Sequence, residues 1–210
     1  MKPLLKYCGN QSFEDIVVTA NSQAQYLGFV FAPSKRCVDP LEVQEWLLEQ
    51  SVTQKLVGVF VNSTLQEMER VLNYVPLDVI QCHGDEPPDF VARIKEYFQI
   101  NVWKVIHHSE SGVKKMKSYR HLVDGFVIDS KVEGQRGGTG MPFEWEAIPL
   151  YQEEASLQNV LCFIAGGINV NSVRDLLQYK PLGVDLSSGI EVNGMKSEKV
   201  KNQFEARLFL

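Results

Sequence analysis

Short runs of β-branched and apolar residues recur from one end of the chain to the other. Each is followed by a stretch whose apolar positions repeat at the three- and four-residue spacing of a helix. The runs predict strands over Leu4–Tyr7, Tyr26–Phe31, Leu56–Val61, Val79–Cys82, Val102–Ile106, Gly125–Ile128, Leu161–Ala165 and Gly183–Leu186. Five of the intervening stretches carry helix-start signals, a short polar residue that can cap or a proline in the first turn. Ser12 stands before FEDIVVTA, Asp39-Pro40 before LEVQEWLLEQ, and Ser63 before TLQEMERVL; Pro88-Asp89 precedes FVARIKEYF and Asn169 precedes VNSVRDLLQY. Strand–helix alternation of this kind calls for a parallel sheet.

Eight such units in 210 residues lie near the lower size limit of a (β/α)8 barrel. A doubly wound open sheet is the alternative, but no G-x-G-x-x-G follows the first strand, where a dinucleotide fold needs it. The chain shows no linker, low-complexity stretch or composition break. The expectation is therefore α/β, a single-domain (β/α)8 TIM barrel over residues 1–210.

Alternation along each strand sorts side chains between the barrel axis and the helix layer. Lys6, Cys8, Gln81, His83, Asp129 and Asp185 fall on the axis side, and Leu5, Tyr7, Ile80, Phe126, Ile128, Val184 and Leu186 on the helix side. Polar groups along an axis are costly unless paired or used. The first and last strands are neighbours in a closed barrel, so Lys6 and Asp185 are expected to form an interior ion pair.

Composition narrows the chemistry. Hydrophobic residues make up 44% and charged residues 22%, the balance of a soluble globular protein. A net charge of −5 argues against nucleic acid, which calls for a basic face. The opening MKPLLKY has no signal-peptide core and no apolar run is long enough to span a bilayer, so a cytoplasmic protein without a membrane partner is expected. In that compartment Cys8, Cys37, Cys82 and Cys162 read as free thiols, and no Cys/His spacing suits a metal.

Several strand ends carry candidate chemistry. FIAGGINV and GVDLSSGIE place Gly166, Gly167, Ser188 and Gly189 in the turns after strands seven and eight, the usual phosphate site of such barrels. Glycines there let backbone N–H groups approach an anion. Asp129 roots the long polar loop DSKVEGQRGGTGMPFEWE, which contains Gly138 and has the length of a lid or binding loop. A buried carboxylate there can be a general acid, although an aspartate at a strand end also serves as a simple cap. Arg36 can offer a planar fork to a carboxylate, the alternative being a solvated loop arginine. His83 reads as a hydrogen-bonded pocket residue. Cys8 closes the inward row of the first strand, just before Gly9, where a thiolate can work as a base opposite Asp129.

KYCG, LGFVFAPSKRCV, QCHGDE, DSKVEGQRGGTG, FIAGGINVNSV and GVDLSSGIE, in that order, resemble the phosphoribosylanthranilate isomerase family of tryptophan biosynthesis. The resemblance covers essentially the whole chain. It implies a (β/α)8 barrel without a cofactor, acting on a small phosphorylated substrate by an Amadori rearrangement. Residue by residue it implies Cys8 as general base, Asp129 as general acid and Arg36 at the anthranilate carboxylate. Gly166, Gly167, Ser188 and Gly189 fall in the phosphate loops, and His83, Gly138 and Asp185 complete the expected substrate-binding set. Tyr7, Gln11, Ser12, Cys37 and Cys82 depart from the family pattern; Gln11 and Ser12 bear on the loop beside the base. A monomer is favoured, with a homodimer as the alternative. The rivals are a metal-dependent pentose-phosphate epimerase, an indole-glycerol-phosphate synthase and a non-catalytic barrel that binds a phosphorylated ligand.

Overall fold

The computed structural model describes residues 2–129 and 145–209. Eight parallel strands close into a barrel in chain order: β1 Leu4–Tyr7, β2 Tyr26–Val30, β3 Lys55–Phe60, β4 Val79–Cys82, β5 Asn101–His107, β6 Gly125–Asp129, β7 Leu161–Ala165 and β8 Gly183–Leu186. Strands β1 and β8 complete the ring, with Lys6 in register with Asp185. Around it lie α1 Phe13–Ala20, α2 Pro40–Glu49, α3 Leu65–Leu72, α4 Pro88–Phe98, α5 Gly112–Ser118, α6 Ile148–Gln158, α7 Val173–Leu177 and α8 Glu198–Leu208. Between β8 and α8 the chain makes a small antiparallel excursion, β9 Glu191–Val192 paired with β10 Met195–Lys196. No helix among the described residues is long and apolar enough to cross a membrane.

The expected strands and their parity hold to within a residue or so at each end. Tyr26, Val57, Val79, Trp103, Val105, Val127 and Phe163 form a separate apolar cluster inside the barrel. Tyr26 sits edge-on to Trp103 and Phe163, with ring centroids 4.8 and 5.5 Å away, and Trp103 stacks on Phe163 at 4.9 Å. Three aromatic rings thus fill the axis and leave the polar axial residues above them. The alternate positions, among them Leu5, Tyr7, Ile80, Phe126 and Ile128, pack in the outer core under the helices.

Some helix starts differ from the sequence expectation. Ser12 and Asp39 cap α1 and α2 as expected, accepting from Asp15 N and Leu41 N. Helix α3 is capped by Thr64 rather than Ser63, because Glu67, three residues on, completes a reciprocal box with it. Helix α7 begins at Val173, not just after Asn169; the Asn169 carboxamide oxygen accepts from Asn171 N and Ser172 N and holds a turn there instead. Helices α5 and α6 have no side-chain cap. Helix α8 buries Lys201 and Glu205 together with Phe204 and Leu208, so its inward face carries charge. Glu205 accepts from Tyr7 Oη at 3.0 Å, which is how the unusual tyrosine of β1 is accommodated in the helix layer.

Candidate active site

The carboxyl ends of the strands surround a cavity of about 420 Å³. That volume suits a small-molecule ligand. Cys8, His83, Asp129 and Asp185 all line it, together with Gln81 from the same polar layer. Gly166, Gly167, Ser188 and Gly189 form one wall, and Arg36 reaches it from the loop after β2. Gly138 lies outside the described residues. A larger surface hollow of about 720 Å³ runs past Leu65, Phe90 and Tyr97 between α3 and α4, outside the barrel and away from these groups.

The base of the cavity is an ion pair. Lys6 Nζ is fully buried and stands 2.8 Å from Asp185 Oδ2, as the parity of β1 and β8 requires. The other Asp185 oxygen, Oδ1, is buried without a hydrogen-bond partner among the described residues. A buried carboxylate oxygen left open in a cavity wall is ready to accept from a ligand hydroxyl. Gln81 Nε2 lies 3.4 Å from His83 Nδ1, and His83 Nε2 lies 3.6 Å from Asp129 Oδ2. With Nδ1 accepting from the amide, the proton of a neutral imidazole sits on Nε2, on the Asp129 side.

Cys8 is half-buried at the end of β1. Burial pushes its thiol above the ordinary range; the Lys6 ammonium pulls it back down, Asp185 pushes it up again, and Lys196 helps Lys6. Room for the sulfur comes from Gly28 on β2, where a Cβ would stand 2.9 Å from Cys8 Sγ and 3.2 Å from Lys6 Nζ.

Two residues that the sequence reading missed organise the rim. Arg36 Nε and Nη2 bond both oxygens of Glu191, at 3.0 and 2.8 Å. Glu191 Oε1 also accepts from Lys196 Nζ at 3.0 Å. The buried Lys196 amine donates further to Cys8 O at 2.8 Å and Ser187 O at 2.9 Å. Burial alone would raise the Glu191 carboxyl, but Arg36 and Lys196 hold it below its usual range. The guanidinium keeps its Nη1 edge clear of Glu191, so one fork is anchored and the other remains for an anion. No sequence signal marks Glu191 or Lys196, because they meet only through the β9–β10 excursion. The loop beside the base is tied to the same excursion: Asp15 accepts from both Gln11 N and Lys196 N, and Gln11 Nε2 donates to Gly194 O.

The two glycine turns meet each other. Gly166 and Gly167 have φ of 88° and 67°, in the left-handed region that favours glycine. A Cβ on Gly189 would fall 2.1 Å from Ile168 O, so the turn after β8 sits directly on the backbone of the turn after β7. The site therefore combines a thiol, a carboxyl group, an arginine fork and a glycine-built wall around one cavity.

The family model described as N-(5'phosphoribosyl)anthranilate (PRA) isomerase matches residues 5–206. The chain is 50% identical over 209 residues to an N-(5'-phosphoribosyl)anthranilate isomerase of Halalkalibacterium halodurans, covering 99% of this chain and 96% of that protein. Its fold is similar to the crystal structure of phosphoribosyl anthranilate isomerase from Thermotoga maritima, with a TM-score of 0.85 and 31% identity over 99% of this chain and 98% of that one. It is also similar to a phosphoribosyl anthranilate isomerase in complex with reduced 1-(o-carboxyphenylamino)-1-deoxyribulose 5-phosphate, with a TM-score of 0.82 and 29% identity over 99% and 100% of the two chains.

Proposed function

This chain belongs to the N-(5'-phosphoribosyl)anthranilate isomerase family, and on that premise we propose that it converts N-(5'-phosphoribosyl)anthranilate into 1-(2-carboxyphenylamino)-1-deoxyribulose 5-phosphate, an aldose–ketose isomerisation of tryptophan biosynthesis. Cys8 and Asp129 facing one cavity walled by two glycine turns is the observation that carries the mechanism. Asp129 protonates the furanose ring oxygen; the C1'–O bond breaks as the anthranilate nitrogen lone pair forms a C1'=N iminium. Cys8 then removes the C2' proton, and the electrons of that bond neutralise the iminium to give an enolamine. Loss of the C2' hydroxyl proton and protonation at C1' complete the ketone. A positioned acid and base on opposite ends of this proton transfer are what such chemistry needs.

The remaining residues fall into binding roles. The unanchored edge of Arg36 receives the anthranilate carboxylate, while the turns at Gly166–Gly167 and Ser188–Gly189 receive the phosphate. Asp185 Oδ1 is placed to accept from a sugar hydroxyl, and His83 lies beside Asp129. Neither lysine near the strand ends suits the synthase rival: Lys6 is paired with Asp185, and Lys104 faces the helix layer, bonded to Glu86.

Purified protein mixed with freshly generated phosphoribosylanthranilate is expected to remove its anthranilate-type fluorescence, at a rate that EDTA leaves unchanged. Saturable binding without turnover would instead indicate a phosphate-binding barrel. Gly189→Ala separates the phosphate grip from the chemistry. Its methyl cannot be accommodated beside Ile168 O without moving one of the two turns, and a displacement of that kind is expected to lower kcat/KM by about 10²-fold. Weakened competitive inhibition by inorganic phosphate should accompany the loss.

A further inference from the structure

Cys8 does not sit in an apolar pocket. Lys6 lies beneath it on the same face of β1, fully buried, with Asp185 on β8 at 2.8 Å. The Cys8 sulfur and the same ammonium border one small space, the place a Cβ on Gly28 would take, at 2.9 and 3.2 Å from it. Gly28, across from both, leaves open the volume that any other residue on β2 would fill. An ammonium has three donors, and one carboxylate oxygen satisfies one of them. A buried cation also needs its charge compensated, because removal from water costs several kcal/mol unless partners replace the solvent. Burial works against the Lys6 ammonium, but Asp185 and Cys8 favour it, and the balance holds the amine above its ordinary range.

We propose that the Lys6 ammonium, shared between Asp185 and the Cys8 sulfur, is the built-in counter-ion of the Cys8 thiolate. Lys6 is a positioning residue, acting on the substrate through Cys8. This rests on the reading of Cys8 as the base. The charged groups facing the sulfur are Lys6 from β1, Asp185 from β8 and Lys196 from β10. Across the cavity stand His83 and Asp129, and Arg36 is already engaged by Glu191. Within this set Lys6 and Asp185 oppose each other, Lys6 drawing the thiol down and Asp185 pushing it up, and Lys6 has the larger effect. When Cys8 gains a proton from C2', the ammonium is left to Asp185 alone, so the lysine has a partner in both states of the base.

The opposition fixes the sign of two substitutions. Asp185→Asn releases Lys6 to the sulfur, and the double variant Lys6→Met/Asp185→Asn removes both charges at once and leaves no unpaired ion behind. The measurement is the pH dependence of Cys8 alkylation by iodoacetamide, followed by peptide mass spectrometry. Exposed Cys37 serves as the internal reference, and Cys82 and Cys162 are buried. The alkylation midpoint of Cys8 is expected to fall by about one pH unit in Asp185→Asn and to rise by about one unit above wild type in the double variant, while that of Cys37 stays fixed. Equal midpoints in all three proteins would overturn the proposal. If the double variant does not fold, an unchanged or raised midpoint in Asp185→Asn overturns it alone. Alkylation reports the thiol without turnover, so this result is separate from that of the base assignment, which the activity of Cys8→Ala decides.

Discussion

Cys8→Ala is expected to lower kcat/KM by about 10²- to 10⁴-fold, and Asp129→Asn by a similar factor, while both variants keep wild-type affinity for inorganic phosphate. The two losses have different pH signatures. Burial holds the Cys8 thiol above its ordinary range despite Lys6, so the thiolate is a minor species at neutral pH. Below that point its population grows about tenfold per pH unit, so in Asp129→Asn, which has no acid left to titrate, kcat/KM should rise with a slope near one between about pH 6 and 8. In the wild type the ionisation of the Asp129 acid opposes this limb and flattens it. Cys8→Ala abolishes it. Full activity in Cys8→Ala, or a rising limb that survives it, would transfer the base to another group. Rate measurements on the three proteins across that range decide the matter.

The second large effect lies outside the cavity. Lys104 points from β5 into the helix layer, where its ammonium donates to Gly84 O at 2.7 Å and Cys82 O at 3.3 Å and pairs with Glu86 Oε2 at 3.1 Å. Glu86 Oε1 in turn accepts from Asn62 N and Gly84 N. Both side chains are almost fully buried, at 4% and 1% exposure. Lys104→Met is expected to cost about 3–5 kcal/mol, because it strands a carboxylate away from water. Urea unfolding should show the midpoint falling at constant slope. Adding Glu86→Gln should recover a good part of the loss, since glutamine keeps an oxygen for the two amides and buries no charge. A loss below about 1 kcal/mol in the single variant would place that pair in the class of exposed ion pairs. The same network holds the loop that starts at His83, so substrate binding should weaken along with stability.

The barrel was legible because each strand carries its own alternation, and closure follows from the count of eight. Parity alone placed Cys8, Gln81, His83, Asp129 and Asp185 on the axis and paired Lys6 with Asp185. What escaped depends on partners distant in the chain. Helices α5 and α6 lack capping side chains, and α8 hides its inward face behind Lys201 and Glu205, whose charges are satisfied by Asn21 O and Tyr7 Oη. Ser197, which does cap α8 through Val200 N, was a usable signal that the polar composition of the helix obscured. Glu191 and Lys196 could be assigned only once the β9–β10 excursion was seen to fold over the end of β1. The sequence shows Arg36 only as a loop arginine that can face a carboxylate; that Glu191 holds one of its edges follows from the β9–β10 excursion.

That anchoring sets terms for redesign. An engineer seeking to admit a sugar with an uncharged aglycone would first remove Arg36. Alone, this would leave Glu191 facing Lys196 with one fewer cation and slacken the amine that grips Cys8 O and Ser187 O. The end of the pocket proposed to take the anthranilate carboxylate is therefore wired to strand β1, and a change of specificity there is expected to need Arg36 and Glu191 replaced together if Cys8 is to keep its position.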